Sequence, residues 1–149
     1  MAQPYNNLGL SYNSIAQYYK AIECDQKALE IRLRVLGFEH QDVAYSYYNL
    51  GDSFESLGDH EKAIDHHQKA LEIRLKALNP QHLDVANSYF SLGNSFESVG
   101  NYEKAIDHHQ KALEIRLKAL NPQHLDVANS YYNLGNSFES VGNLSLIHI

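Results

Sequence analysis

The chain has one cysteine, no apolar run near 18 residues and no cluster of lysine or arginine. Each absence closes off a class of protein. A single thiol, Cys24, makes neither an internal disulfide nor a thiolate metal cage, and it reads as a passive surface or packing residue. Without a long apolar run there is no candidate membrane-spanning helix. No basic start leads into an apolar stretch, so no secretory signal is visible and a cytoplasmic protein is expected. Against 18 acidic residues stand 12 basic ones, for a formal net charge of −6. Nucleic acid and anionic membrane are therefore poor partners, because both are met by clustered Lys and Arg.

What the chain has instead is repetition. Glu61 to Tyr89 reads EKAIDHHQKALEIRLKALNPQHLDVANSY, and Glu103 to Tyr131 repeats it letter for letter. Between residues 43–84 and 85–126, seven of 42 positions differ: Tyr45/Asn87, Tyr48/Phe90, Asn49/Ser91, Asp52/Asn94, Leu57/Val99, Asp59/Asn101 and His60/Tyr102. A fixed period of this size marks a stacked-repeat architecture, in which each unit touches its neighbours and no single central core is needed. The expected organisation is one array over residues 1–143, with units near 1–41, 42–83 and 84–125 and a half unit at 126–143. The tail at 144–149 breaks the pattern and reads as artefactual or truncated.

Within a unit the apolar residues recur three or four apart, which predicts two amphipathic helices. The first carries Val43, Tyr47, Leu50, Gly51, Phe54 and Leu57; the second carries Ala63, Ile64, His67, Ala70, Leu71, Leu75 and Leu78. Asp42, Asp84 and Asp126 are expected to cap the first helix, with His40, His82 and His124 shaping the turn before them. Gly58, Gly100 and Gly142 are placed to end that helix in the left-handed conformation. Asp59 and Asn101 should cap the second helix, which Asn79-Pro80 and Asn121-Pro122 stop near Leu78 and Leu120. Gly51, Gly93 and Gly135 fall inside the first helix at a cost of about 1 kcal/mol relative to alanine, so a neighbouring helix is expected to press on the backbone there. Phe54, Phe96 and Phe138 should fill the space beside it.

The succession Tyr47, Leu50, Gly51, Phe54, Gly58, Ala63, Ala70 resembles the tetratricopeptide repeat, and the 42-residue period with its NPQHLDVA loop is similar to the repeats of kinesin light chains. The usual proline of the repeat is missing. The resemblance implies an all-α, right-handed α-solenoid of antiparallel helix hairpins, acting as a protein–protein interaction scaffold. It also implies that the first helices line a concave groove for an extended peptide, with asparagines bonding the peptide backbone. Carried over by position, those rungs are Asn7, Asn49, Ser91 and Asn133. Around them stand Tyr45, Tyr48, Asp52 and Glu55, then Asn87, Phe90, Asn94 and Glu97, then Asn129, Tyr132, Asn136 and Glu139. An amide offers both a donor and an acceptor and so suits any peptide unit. Four of the seven differences between the best copies lie at these positions; variation of a binding face and drift after duplication both give that pattern. The acidic residues favour a neutral or basic peptide, unlike kinesin light chain grooves that take acidic cargo through basic residues. The alternative is a regulatory or sensor module of a larger enzyme or signalling protein whose catalytic part is absent.

Nine histidines raise the question of a metal. His66-His67 and His108-His109 are adjacent, about 100° apart on a helix, whereas ligands to one metal from one helix need three or four residues of separation. No metal and no cofactor is expected, and His67 and His109 read as packed, hydrogen-bonded imidazoles. Nor is an enzyme: Ser, His and Asp recur as copies, whereas a catalytic centre needs one constellation with distinct roles. At the end of the chain, Val127 to Val141 has no following EKAIDHHQ helix to cover its apolar face, so self-association through that uncapped C-terminal end is expected.

Overall fold

A computed structural model describes residues 17–147, so Asn7 and the first turn around Pro4 lie outside the described residues. Among the described residues there are six helices and no strand. They divide into two compact units, Met1–Asn79 and Pro80–Ile149. The first unit contains α1 (Tyr18–Leu36), α2 (Gln41–Leu57) and α3 (His60–Ala77), and the second contains α4 (Leu83–Ser98), α5 (Tyr102–Ala119) and α6 (Leu125–Ile147). Within the first unit α2 packs on both α1 and α3; within the second, α5 packs on both α4 and α6.

The tight turn between α2 and α3 forms as its letters demand. Gly58 takes φ 89°, and the following Asp59 N–H reaches back to the carbonyl of Phe54 at 2.9 Å. The Asp59 carboxylate then accepts from the Lys62 backbone N–H, opening α3. Gly100 (φ 78°) and Asn101 repeat the arrangement between α4 and α5. A left-handed residue satisfies carbonyls that the helix end leaves open, and glycine enters that region without a Cβ clash. At the far ends, Leu78 and Leu120 are extended ahead of Asn-Pro, one residue beyond helices that stop at Ala77 and Ala119.

Two expectations about helix ends are corrected. The caps of α2 and α4 are His40 and His82, not the aspartates: each imidazole Nδ1 accepts from the backbone N–H of Asp42 or Asp84 at 3.1 or 3.0 Å. His124 Nδ1 accepts from Asp126 N–H in the same way. The aspartates sit two residues further in, within the first turn, where their charge complements the helix dipole instead. Gly142, in turn, does not break its helix. α6 runs through Val141-Gly142-Asn143 to Ile147.

The interior follows the repeat. Val43, Ala44, Tyr47, Ala70 and Ile73 form one cluster, and Ile22, Leu50, Phe54 and Ala63 form another. Leu75, expected on the apolar face, is instead more than a third exposed, and its inward place is taken by Ile73 and Arg74. Gly51 meets the ring of His67, and Gly93 meets the ring of His109: a Cβ at either glycine would lie 2.5 or 2.6 Å from the imidazole. Close approach is thus the reason for a mid-helix glycine at both positions. At Gly135 nothing lies within 4 Å of that site. Phe138 is 51% exposed, whereas Phe54 and Phe96 are buried, correcting the expectation that all three rings fill a core.

The glycines make a signed prediction. Gly51→Ala or Gly93→Ala forces a buried ring to move and should destabilise by about 1–3 kcal/mol. Gly135→Ala meets open space and should stabilise by about 0.5–1 kcal/mol through helix propensity. Denaturant unfolding of the three variants reads both signs; a shared sign would refute close approach.

Candidate functional site

The candidate face of the first unit lies on α2. Tyr45 is exposed, Tyr48, Asp52 and Glu55 are half-buried, and Asn49 is only 3% exposed. Asn49 therefore does not stand open to solvent, and its Nδ2 has no hydrogen-bond partner. Glu55 Oε1 lies 2.9 Å from His60 Nδ1, which holds the carboxylate against the start of α3. Asp52 Oδ1 lies 3.5 Å from Nε2 of the buried His67. Burial raises the Asp52 carboxyl and the Arg74 guanidinium pulls it back; nearly half of its side chain remains in water, which limits the rise.

In the second unit the candidate residues are tied to one another. Asn87 Oδ1 accepts from Arg116 Nη2 at 3.1 Å. Asn133 Nδ2 donates to Asn94 Oδ1 at 2.8 Å, joining α6 to α4. The Ser137 hydroxyl donates to Glu97 Oε2 at 2.9 Å. Ser91 and Asn136 are half-buried, while Asn129, Tyr132 and Glu139 are exposed along α6, Tyr132 at 70%. Asn133 thus has an amide partner on the neighbouring first helix.

A set of arginines was missing from the sequence reading. Arg32, Arg74 and Arg116 occupy equivalent places 42 residues apart and are 5–7% exposed. Arg32 Nη1 donates to Ser46 Oγ at 2.7 Å and to the Asp42 carbonyl; Arg116 Nη1 donates to Ser130 Oγ at 2.8 Å and to the Asp126 carbonyl. The guanidinium of Arg74 lies 4.6 Å from the Tyr48 ring centre, and that of Arg116 lies 4.4 Å from the Phe90 ring centre. The faces are therefore not simply acidic, since a cation sits beneath an aromatic ring in each. The available signal was the recurrence of Ile-Arg every 42 residues, with a serine 14 residues after each arginine.

His67 and His109 are packed as expected, but the expectation of hydrogen bonding fails at His109. Neither of its ring nitrogens has a hydrogen-bond partner, and the nearest carboxylate oxygen, on Glu97, is 3.8 Å away. Burial, aided by the neighbouring Arg74 and His66, pushes His67 down to about 3; burial, with His108 and Arg116, pushes His109 down to about 4. Asp25 takes the equivalent place in the first copy. Burial pushes its carboxyl up to about 6, although Ser53 Oγ donates to Oδ2 at 3.1 Å. Among the described residues no three His, Cys, Asp or Glu side chains gather as a metal site.

The hairpins, the Gly–His contact and the glycine turns are the features that decide the family, and the comparison agrees with them. The family profile described as tetratricopeptide repeat matches residues 1–76, 56–118 and 84–146. The chain belongs to the tetratricopeptide repeat family. Members of this family generally act as protein–protein interaction scaffolds, and its arrays are typically non-catalytic. Among solved structures, a kinesin light chain candidate of Podosopora anserina with nearly identical TPR-like repeats matches at TM-score 0.87 and 20% identity, over 96% of this chain and 68% of that one. BtubC (BKLC) from P. vanneervenii matches at TM-score 0.88 and 27% identity, over 97% of this chain and 57% of its own. The apo form of RapI matches at 0.83 and 20%, over 97% and 51%. Among curated proteins no relative matches. The fold class is all-α, of the tetratricopeptide α-solenoid type, and its neighbours are kinesin light chain-like. No described helix is long and apolar enough to cross a membrane.

The tetratricopeptide core gives a pH prediction. A histidine that is neutral when folded and titrates near 6.5 when unfolded takes up protons only on unfolding, so its stabilisation is lost as pH falls from about 6.5 towards 3–4. Asp25 has the opposite sign: its protonated form is stabilising below about 3.8, and that contribution is lost as pH rises through about 6. Thermal unfolding midpoints should fall from pH 6.5 to 4, less steeply in His67→Gln and His109→Gln and more steeply in Asp25→Asn. An unchanged slope in all three variants would contradict the burial assignment.

Proposed function

We propose that this chain is an interaction scaffold that takes an extended peptide segment on the faces presented by its first-type helices. The observation that carries the reading is the tied polar set of the second unit. Asn87, Asn94, Asn133 and Glu97 are each held by a hydrogen bond while Asn129, Tyr132 and Glu139 remain open beside them. Side chains already fixed in place lose little rotamer freedom when a ligand arrives. Amides can meet a peptide backbone in either polarity, and Tyr132 supplies apolar area with a polar tip.

The preferred segment is neutral or basic, with Lys or Arg near an apolar anchor. Glu139 is the exposed carboxylate of the α6 face, and Asp52 and Glu55 lie on that of α2. The buried arginines spend their charge on serine hydroxyls, carbonyls and aromatic rings, which leaves the outer carboxylates to set the sign met by an approaching ligand.

Anisotropy titration with labelled extended peptides, one set carrying Lys or Arg beside Leu or Phe and a matched set carrying Asp or Glu, tests the proposal. The basic set should bind more tightly, and Asn133→Ala or Glu139→Lys should weaken it by roughly fivefold or more, the scale of a lost hydrogen bond or charge contact, with helicity unchanged. Preference for the acidic set would overturn the charge assignment, and binding indifferent to both variants would move the site elsewhere.

A further inference from the structure

Three loops of the chain end in the same way. His40, His82 and His124 recur every 42 residues, and each stands two residues before an aspartate. Each Nδ1 accepts from the backbone N–H of that aspartate, at 3.1, 3.0 and 3.0 Å, in the opening turn of α2, α4 and α6. An imidazole nitrogen accepts only through its lone pair, so the proton of each neutral ring is on Nε2. Protonation makes Nδ1 a donor, and the bond to the amide is then lost. A serine or asparagine cap carries no such condition.

The charges around each ring decide what replaces the bond. Oδ2 of the same aspartate lies 4.0, 3.8 and 3.9 Å from Nδ1, close enough to draw a protonated ring onto it. Two features oppose a cation left at the amide. The start of a helix carries the positive end of its dipole. A guanidinium from the preceding helix also reaches the turn: Arg32 Nη1 of α1 donates to the Asp42 carbonyl at 3.3 Å, and Arg116 Nη1 of α5 donates to the Asp126 carbonyl at 3.2 Å. Beside His40, the Glu39 carboxylate faces Lys76 of α3 at 3.8 Å. Each ring is close to half exposed, so a proton reaches it from solvent without unfolding.

We infer that the three loop histidines are acid-released helix caps. Neutral, each ring fastens the first turn of a first-type helix; protonated, it leaves the amide for the aspartate carboxylate and that turn loosens. Histidine changes charge between about pH 5 and 8, so the caps are in place towards the upper end of that range and withdrawn towards the lower. The backbone bonds from the N–H groups of Val43, Val85 and Val127 to the histidine carbonyls do not titrate, which confines the change to the first turn. The helices that respond are those bearing the candidate faces. The release is a property of the free chain and does not require that a peptide bind there.

Nuclear magnetic resonance of the full chain from pH 8 to 5 tests the inference. At pH 8 the imidazole nitrogen shifts of His40, His82 and His124 should show the Nε2–H tautomer, and the Asp42, Asp84 and Asp126 amide protons should have the shallow temperature dependence of bonded protons. As each ring titrates, its amide should lose that signature, and hydrogen exchange there, corrected for its intrinsic pH dependence, should rise by about fivefold, the scale of a lost cap. In His40→Asn, His82→Asn and His124→Asn the amide should stay bonded across the range, since asparagine accepts without titrating. These variants keep His67, His109 and Asp25, so the comparison separates the caps from the buried groups. Rings protonated on Nδ1 at pH 8, or amides that stay bonded at pH 5 in the parent chain, would overturn the inference. Amides freed by acid in the asparagine variants as well would overturn it equally, by placing the response elsewhere in the fold.

Discussion

One contact sets the spacing of each hairpin: an imidazole laid directly on the backbone of a mid-helix glycine. His67 on Gly51 and His109 on Gly93 bring two helix axes closer than any Cβ at the glycine would allow. Everything beside the contact is sized to match it. Alanines 63 and 70 keep the second helix from standing off, and Phe54 and Leu50 fill the wedge where the helices diverge. The arrangement uses an apolar interior but places in it a ring with two nitrogens, and at His109 both go without a partner. An unpaired buried nitrogen costs about 1–3 kcal/mol, so the packing gain must exceed that.

Position 25 shows what happens when the ring is exchanged for a carboxylate. Asp25 is fully buried, accepts from Ser53 and has one oxygen without a partner. The acid and the imidazole differ in charge type, so the same desolvation drives their protonation in opposite directions: the acid holds its proton and the base gives it up. The imidazole is neutral at pH 7, whereas the carboxyl is neutral only below about 6.

Much of this was legible in the letters. Period, helix pairing, the Gly58 and Gly100 turns, the Asp59 and Asn101 caps and the close approach at Gly51 all follow from local rules acting on a repeat. What escaped has common physical causes. Arginine was read as an outward residue, but its aliphatic stem packs while the guanidinium reaches Ser46 or Ser130 and a carbonyl, which only the fold places within range. Histidine was not counted as a cap, although Nδ1 two residues before an aspartate N–H accepts as a serine oxygen does. For the candidate faces, the sequence placed polar residues in register, yet Asn49 is buried and Asn133 is paired, because exposure depends on neighbours that periodicity does not name.

The Gly–His contact closes within a single stretch of 17 residues, from Gly51 to His67 and from Gly93 to His109. Because the segment from Glu61 to Tyr89 recurs unchanged from Glu103 to Tyr131, a crossover between the two copies would lengthen or shorten the array by whole periods without putting any residue in an unfamiliar setting. Reach is therefore an inheritable quantity that can change in one step, while the chemistry of each hairpin stays as it was.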